Sequence, residues 1–191
     1  ITGPIQFGYG RSLNPVSLNT ESKKQSTVVA SGENKEEGTF AYDNRLHYAL
    51  ISFGGVVNER LAEKANLTQD DVERLDSIIW NSILNQTTTR SKVGQAPRFY
   101  ARIEYNESTQ RFAGSIDSTF SMESEKPLDS IRTISEYSVN IDEFMKKIES
   151  VKDEINQIVL RIDPSMTFEY DNKTYSSSEI EDLLPVTVNK P

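Results

Sequence analysis

Four cations concentrated in one short stretch are the residues of this sequence whose types and spacing point most directly to chemistry. They are Arg90, Lys92, Arg98 and Arg102, and the first acid within residues 85–105 is Glu104. Threonine hydroxyls at 87–89 and the backbone of Gly94 accompany them. Cations, hydroxyls and backbone N–H groups bind phosphate oxygens. The stretch therefore indicates contact with a nucleic-acid backbone; the alternative is a solvated turn whose arginines pair with acids of a neighbouring helix.

Seven residues in and around this stretch are the candidate RNA-contacting residues: Arg11, Arg45, Arg90, Ser91, Lys92, Arg98 and Tyr100. Arg11 follows a glycine, and Arg45 offers a further cation for phosphate. Tyr100 lies on the polar face of a predicted strand, where its ring could stack on a base of single-stranded RNA. These residues predict a local basic groove on a protein whose net charge is −8.

Catalytic and metal-binding chemistry finds little support in the residue types. The only histidine, His47, lies in an apolar stretch without a recognisable serine or acid partner, so a structural role is expected. Cysteine is absent, which excludes thiolate zinc sites and cysteine nucleophiles, and "GYGRSL" lacks the spacing of a phosphate loop. Adjacent acids occur at predicted turns or helix starts, where they compensate helix dipoles; these pairs are Glu36-Glu37, Asp70-Asp71 and Asp142-Glu143. No catalytic residue, metal ligand or cofactor is predicted.

Length and composition favour one compact, soluble domain over residues 1–191. The chain has 191 residues, 36% of them hydrophobic, and no apolar run reaches the ~18 residues of a membrane span. The net charge of −8 argues against indiscriminate nucleic-acid binding. The lack of cysteine favours a cytoplasmic location. Because strand-like sequence begins directly at Ile1, we expect a fragment of a longer chain.

Apolar patterns predict an α+β fold with a small, mostly antiparallel sheet. "PIQFGYGRSL" predicts a strand with an irregularity at its glycines, and "LHYALISFGGVVN" (46–58) predicts a central strand buried on both faces. "RFYARIEY" alternates apolar and polar residues, which is typical of a strand with one polar face. Residues 106–127 are expected to be irregular. "QIVLRI" predicts a further strand, and "TFEYDNKTY" a strand pair that turns at Asp171-Asn172.

Two main helices are predicted by apolar residues at helical spacing. The first covers residues 66–85 and begins with a capping box of Thr68 and Asp71. The second runs from about residue 141 to 156. A short acidic helix is expected at 177–184.

An insertion divides this predicted domain into parts. Residues 14–45 are mostly polar, with one β-prone island followed by a turn-like sequence, and this pattern suits either a disordered loop or a protruding β-hairpin. Residues 46–105 form the strand-helix-strand part of the core, and residues 106–191 its C-terminal part.

Four sequence blocks occur in an order that carries a family resemblance. They are "TGPIQFGYGRSLNPV", "GTFAYDNRLHYALISFGGVVN", "LTQDDVERLDSIIWN" and "TRSKVGQAPRFYARIEY". In this order they resemble the repeated backbone subunit of type I CRISPR Cascade complexes, most closely that of type I-B. The likeness covers residues 1–105 well and the remainder loosely. It implies a modified RRM-like, ferredoxin-type core whose first strand and helix precede residue 1.

The resemblance also implies a function and partners. The family is non-catalytic, and several copies assemble along the CRISPR guide RNA. A β-hairpin thumb of each copy displaces one base at regular intervals, so Val28, Val29 and Phe40 of the insertion are expected to wedge against a base or a neighbouring copy. The implied partners are guide RNA, copies of the chain itself, other Cascade subunits and, through the guide, target DNA, but no membrane.

Two other functions stay open at this point. Related subunits of type III complexes cut target RNA with an acid of the thumb loop, and the insertion contains Glu33, Glu36 and Glu37. A metal-dependent RNA endonuclease is therefore the alternative, although the type I relatives do not cut. The remaining possibility is a protein-interaction module that binds no RNA.

Overall fold

The structure, a computed structural model, describes residues 2–19, 25–27, 39–41, 45–89, 92–107 and 109–190. Within these ranges the fold is α+β, as predicted. The strands are β1 (Ile5–Phe7), β2 (Arg11–Ser12), β3 (Leu18–Asn19), β4 (Gln25–Thr27), β5 (Thr39–Ala41), β6 (Arg45–Leu46), β7 (Ile51–Ser52), β8 (Gly55–Val57), β9 (Phe99–Tyr105), β10 (Ser121–Glu123), β11 (Ser138–Asn140), β12 (Ile155–Ile162), β13 (Thr167–Tyr170), β14 (Lys173–Ser176) and β15 (Val188–Asn189). The α-helices are α1 (Glu59–Ala65), α2 (Gln69–Asn85), α3 (Asp142–Ser150) and α4 (Ile180–Leu183), and short 3₁₀ helices occur at Leu128–Ser130, Ile134–Glu136 and Lys152–Glu154.

The first eight strands pair as one long antiparallel hairpin. β1 pairs with β8, β2 with β7, β3 with β6 and β4 with β5. The pairs are nested, with Ile5 opposite Val57 in the first pair and Thr27 opposite Thr39 in the last, so their strands form two antiparallel legs. β4 and β5 lie within the predicted insertion, whose role as a protruding thumb stays a prediction. We call the described residues of this hairpin (5–19, 25–27, 39–41 and 45–57) the ribbon.

Large apolar side chains of the ribbon are exposed to solvent, so the prediction of a central strand buried on both faces is wrong. The side chains of Ile51, Phe53 and Val56 are 57%, 45% and 58% exposed. Residues 46–58 hold two short strands and the end of a third instead of one continuous strand. In the described part of the chain the ribbon is two strands wide, and a two-stranded ribbon cannot bury its own apolar residues.

Two helices follow the ribbon. α1 was not predicted, and it begins where the Asn58 side chain accepts a hydrogen bond from the Leu61 amide at 3.1 Å. α2 confirms the predicted helix and its capping box: the Asp71 amide donates to the Thr68 hydroxyl at 3.2 Å, and the Thr68 amide donates to the Asp71 carboxylate at 3.0 Å. The hydrogen bonds from the hydroxyl and amide of Thr68 lower the pKa of Asp71.

Two larger sheets form the rest of the fold. One has the order β15-β12-β9 and the other β10-β11-β13-β14. Their pairing is mostly antiparallel, as predicted, although β12 runs parallel to β15 and β11 parallel to β13. β13 and β14 are the predicted strand pair, and they turn at Asp171 and Asn172, whose φ angles of 49° and 58° are left-handed.

The apolar core lies in the C-terminal half, where α3 packs against both sheets. Its fully buried side chains include Phe144 and Ile148 of α3, Ile158 and Leu160 of β12, and Phe168 of β13. The helix predicted for 141–156 ends at Ser150, because the chain turns through a 3₁₀ helix and enters β12 at Ile155.

Two further predictions about the C-terminal half need adjustment. α4 covers only four residues of the predicted helix at 177–184, and the stretch expected to be irregular (106–127) includes β10. Among the described residues, no helix combines the length and apolar character needed to span a membrane.

Candidate nucleic-acid interface

The segment between α2 and β9, residues 86–98, carries most of the predicted RNA-contacting residues. We call it the basic segment. Its C-terminal end is fixed by Phe99, the first residue of β9, whose ring lies in an aromatic cluster of the core. The ring centroid of Phe99 is 5.2 Å from that of Phe120 and 6.0 Å from those of Phe144 and Phe168. These contacts attach the end of the basic segment to the most buried part of the molecule.

The N-terminal end of the basic segment is fixed through α2. Trp80, five residues before the end of this helix, is 6% exposed. The guanidinium carbon of Arg161 lies 4.8 Å from the centroid of the Trp80 ring, a cation–π contact. Arg161 stands on β12 directly opposite Tyr100 of β9. The last turns of α2 are therefore held on the same sheet to which the basic segment returns.

A buried carboxylate, Asp76, holds the middle of α2 on the polar face of β9. The side chain of Asp76 is almost fully buried, and it accepts hydrogen bonds from two residues of the strand. The Tyr100 hydroxyl donates to it at 2.6 Å, and Arg102 donates through Nε at 2.8 Å and through Nη2 at 3.0 Å. A buried carboxylate is tolerated because each of its oxygens accepts a charged or hydroxyl donor.

The network of hydrogen bonds around Asp76, which we call the Asp76 clamp, continues across the sheet. Arg102 also donates to Glu104 at 3.0 Å, and the amides of Asn156 and Gln157 donate to the same carboxylate at 2.8 and 2.9 Å. Burial opposes ionisation of Glu104, but these donors together lower its pKa. The polar face of β9 is therefore internally satisfied.

The geometry changes the expectation for Tyr100. Its ring is half-buried under α2, and burial together with the hydrogen bond to Asp76 raises the pKa of its hydroxyl well above the ordinary value. The predicted polar face of β9 exists, but helix α2 covers it. Base stacking by Tyr100 thus stays a prediction, with the ring placed against the protein rather than on an open sheet surface.

The exposed part of the basic segment is a turn around Lys92 and Gly94. The Lys92 amide donates to the Thr89 carbonyl at 3.0 Å, and the Gln95 amide donates to the Lys92 carbonyl at 3.2 Å. Gly94 has a φ of 84°, and no atom lies within 4 Å of where a Cβ would stand. The Lys92 side chain is exposed and forms no ion pair with the described residues. A cation above an open backbone turn is suited to a phosphate group.

Arg98 is partly neutralised within the protein. Its guanidinium forms an ion pair with Asp163, and the Asp163 amide donates to the Arg98 carbonyl at 2.8 Å. Burial opposes ionisation of Asp163, but the Ser165 amide and Arg98 lower its pKa. The alternative interpretation, in which arginines of this stretch pair with acids of a neighbouring helix, describes Arg102, which pairs with Asp76 of α2. Arg98 pairs with an acid outside the helices, and Lys92 forms no ion pair with the described residues.

Three other predicted residues, Arg11, Phe40 and Arg45, lie on the ribbon. Arg11 is exposed on β2, and Arg45 is exposed on β6. Phe40 belongs to β5, where its backbone pairs with Ser26. The predicted residues Arg90, Ser91, Val28 and Val29, and the acids Glu33, Glu36 and Glu37, lie outside the described residues. His47 is exposed, and within the described ranges no three His, Asp or Glu side chains gather as a metal site.

Sequence reasoning missed Asp76, although a signal was present. Asp76 stands four residues after Val72 and four before Trp80, on the side of α2 that faces the sheet. A carboxylate on the inward stripe of a helix needs a buried cation. The nearest strand offered Arg102 for that purpose.

Comparison with known proteins identifies the class to which the chain belongs. The model of the family described as "CRISPR-associated protein Cas7" matches residues 1–142. A protein of Haloferax volcanii, also described as "CRISPR-associated protein Cas7", is 34% identical over 178 residues, which is 93% of this chain and 52% of that protein. These matches define a CRISPR-associated protein.

The chain belongs to the Cas7 family. The family resemblance predicted from the four ordered blocks is thereby confirmed. The chain spans about half the length of the curated relative that it matches.

Proposed function

We propose that this chain is part of a non-catalytic scaffold subunit that binds CRISPR guide RNA and assembles in several copies along it within a Cascade complex. Other Cascade subunits and, through base pairing with the guide, target DNA are its further partners. Sequence specificity comes from base pairing, whereas the protein contacts the RNA backbone. The observation that carries the proposal is the exposed basic turn at Lys92, in a chain that belongs to the Cas7 family.

The RNA contact is proposed to centre on the exposed face of the basic segment. Lys92 supplies a cation and Gly94 an open backbone, while Arg90 and Ser91, between Thr89 and Lys92 in sequence, are proposed to act with them. Arg98 contributes a smaller share because Asp163 already occupies part of its guanidinium, although an arginine has donors to spare. Arg11 is the proposed contact on the ribbon.

The ribbon supports the proposal of assembly. Its exposed large apolar side chains are Phe7, Tyr9, Val16, Leu18, Leu46, Ile51, Phe53 and Val56. Contiguous exposed apolar surface marks interaction sites in soluble proteins. A neighbouring copy on the same RNA would cover such surface, and in this proposal residues 28, 29 and 40 wedge against a base or that copy.

The net charge of −8 fits the same proposal. Acidic surface away from the basic segment repels nucleic acid and confines binding to the groove. Neutralising acids of α2 is then expected to raise non-specific RNA binding.

The test is the salt dependence of guide-RNA binding by the full-length protein. The double variant Arg90→Ala/Lys92→Ala removes two proposed phosphate contacts, so the slope of log K against log salt is expected to fall by about 1.4 for single-stranded RNA. The double variant Lys64→Ala/Lys173→Ala removes two exposed lysines outside the basic segment and is the matched control. Equal slopes for both double variants would show that the groove assignment is wrong.

The endonuclease alternative is tested with the assembled complex. Incubation with complementary RNA and a divalent ion is expected to leave that RNA intact. Cuts at a regular spacing would contradict the scaffold proposal and favour a type III-like nuclease.

A further inference from the structure

The ribbon contacts the core at residues 12–15 and 48–52, which we call its root, and this part contains a break in backbone pairing. Between the β2–β7 and β3–β6 pairs, the Leu13 amide still donates to the Leu50 carbonyl at 2.8 Å. Pro15, two residues on, has no N–H to donate. A side chain must therefore take over if the two legs are to stay together at this point.

Asn14 takes over this role. Its side chain is 4% exposed, which is unusual for an asparagine on an otherwise exposed ribbon. Its Oδ1 accepts from the Leu50 amide at 3.0 Å, and its Nδ2 donates to the Tyr48 carbonyl at 3.3 Å and to the Pro15 carbonyl at 3.1 Å. The Ser12 hydroxyl donates to the Asn14 backbone carbonyl at 2.7 Å and also lies 3.1 Å from the same Oδ1. One amide group thus ties both legs together where the backbone ladder is interrupted.

Tyr48, whose carbonyl Asn14 binds, connects the root to the core. The hydroxyls of Tyr48 and Tyr137 lie 2.8 Å apart, and their ring centroids are separated by 5.9 Å. Tyr137 is 7% exposed and directly precedes β11. Burial and the hydrogen bond to Tyr48 raise the pKa of the Tyr137 hydroxyl, so this hydroxyl stays protonated. A further bond, from the Ser52 hydroxyl to the Asp117 carbonyl at 2.8 Å, supports the returning leg.

The hydrogen bonds of Asn14, Tyr48 and Ser52 described above all lie at the root. Further out, the directly paired side chains of Leu18 and Leu46 are 55% and 48% exposed. A ribbon takes its direction from the part that is attached to the core. Asn14, the Tyr48–Tyr137 pair and the Ser52–Asp117 hydrogen bond are polar contacts that hold the two legs at this part.

We propose that Asn14 and the Tyr48–Tyr137 pair are positioning residues, which set the direction of the ribbon and thereby the spacing and cooperativity of adjacent copies on the RNA. The inference rests on the proposed function for its consequence, since only an assembling subunit has a spacing to set. None of the three residues needs to touch RNA. Their loss is therefore expected to change how copies assemble rather than how one copy binds phosphate.

The experiment compares Asn14→Ala and Tyr137→Phe with a control in the full-length protein. Tyr175→Phe is the matched control, because Tyr175 lies on β14, outside the ribbon, and its hydroxyl forms no hydrogen bond with the described residues. Removing the Asn14 acceptor is expected to accelerate hydrogen exchange at the Leu50 amide about tenfold, the factor for one hydrogen bond near 1.4 kcal/mol. On a long synthetic guide RNA, both variants are expected to need several-fold more protein for saturation and to give a less regular nuclease footprint than Tyr175→Phe.

A second set of measurements separates positioning from loss of structure. Tyr137→Phe keeps the ring, so its thermal unfolding is expected to stay close to wild type, and the salt slope on an RNA long enough for one copy should not change. If both variants assemble with the wild-type footprint and saturation, the positioning role is wrong. If the wild-type protein forms no regular array on RNA, both the proposed function and the role of these residues in spacing are wrong. In that case the hydrogen-exchange rate of the Leu50 amide still decides whether Asn14 ties the two legs together.

Discussion

The ribbon and the C-terminal core contain similar apolar residues, but the ribbon exposes them to solvent whereas the core buries them. Phe144 and Phe168 are completely buried in the core, whereas Phe7 and Phe53 on the ribbon are 52% and 45% exposed. The core places its strands in sheets of three and four and covers them with α3, while the ribbon is two strands wide. An apolar pattern thus predicts that a segment will be covered, but the covering surface can belong to the same chain or to another molecule.

The largest difference between the core and the ribbon is expected when one phenylalanine of each is replaced by alanine. Phe144→Ala is expected to lower the free energy of unfolding by about 4 kcal/mol, because it leaves a cavity beside Phe99 and Phe120. Phe53→Ala should cost about 1 kcal/mol or less in the isolated chain, since water already reaches its ring. Urea unfolding measures both. Equal losses would mean that the ribbon is as well supported as the core.

Helix α2 offers a second test, because a polar clamp rather than apolar packing holds its middle. Asp76→Asn is expected to destabilise the protein by about 3 kcal/mol, since Arg102 then loses its buried anion and keeps only Glu104. Asp70→Asn, at an exposed position of the first turn of α2, is the control and should cost well under that amount. A cost for Asp76→Asn no greater than for Asp70→Asn would show that apolar contacts alone hold this helix.

Two substitutions of Tyr100 test whether its ring contributes to RNA binding, and a smaller change in stability is expected for them. Tyr100→Phe removes one donor to Asp76 and should cost about 1.5 kcal/mol of stability, the lower end expected for a hydrogen bond to a charged group, because Asp76 keeps its bonds to Arg102. RNA affinity is expected to stay unchanged, because the ring remains. Tyr100→Leu removes the ring as well, and a selective loss of RNA affinity in this variant would support base stacking.

The smallest expected effect is a pH dependence on the core side of the comparison. The hydrogen bond from Lys126, together with the amides of Arg132 and Thr133, lowers the pKa of Glu136 from 4.5 to about 2. A lowered pKa means that the contribution of this carboxylate is complete above about pH 4.5 and disappears as the pH falls towards 2. Thermal unfolding between pH 6 and 2 measures it. Glu136→Gln should flatten this dependence, whereas Glu125→Gln, at an exposed site, should not.

Local chemistry made several elements predictable from the sequence. The capping box of Thr68 and Asp71 predicted the start of α2. Asp171 and Asn172 predicted the turn between β13 and β14, because Asp and Asn readily adopt the left-handed backbone conformation that this turn requires. The alternation in β9 correctly separated the side that faces the core from the side that faces α2. Signals of this kind depend on neighbours within a few residues, which the sequence contains.

Long-range relationships were harder to predict. The stretch 46–58 was expected to be buried because it is apolar, yet burial depends on how many strands and layers surround it. The helix from residue 142 ended early because β12 pairs with β9 from Ile155 onward. For the site, the sequence located the basic segment, but it could not show that Arg98 and Arg102 already have acidic partners distant in sequence.

The two legs of the ribbon are unequal in length, and this inequality has a consequence for how the sequence can vary. Residues 8–10 lie opposite only 53 and 54, and the five residues 13–17 lie opposite the four residues 47–50. Side chains on a strand alternate between faces, so each single extra residue reverses the face of everything that follows it. Two extra residues in one leg return the following side chains to their original face of the ribbon. Insertions and deletions in this leg should therefore be tolerated in pairs, and a single one would turn Leu18 to the opposite side of the ribbon.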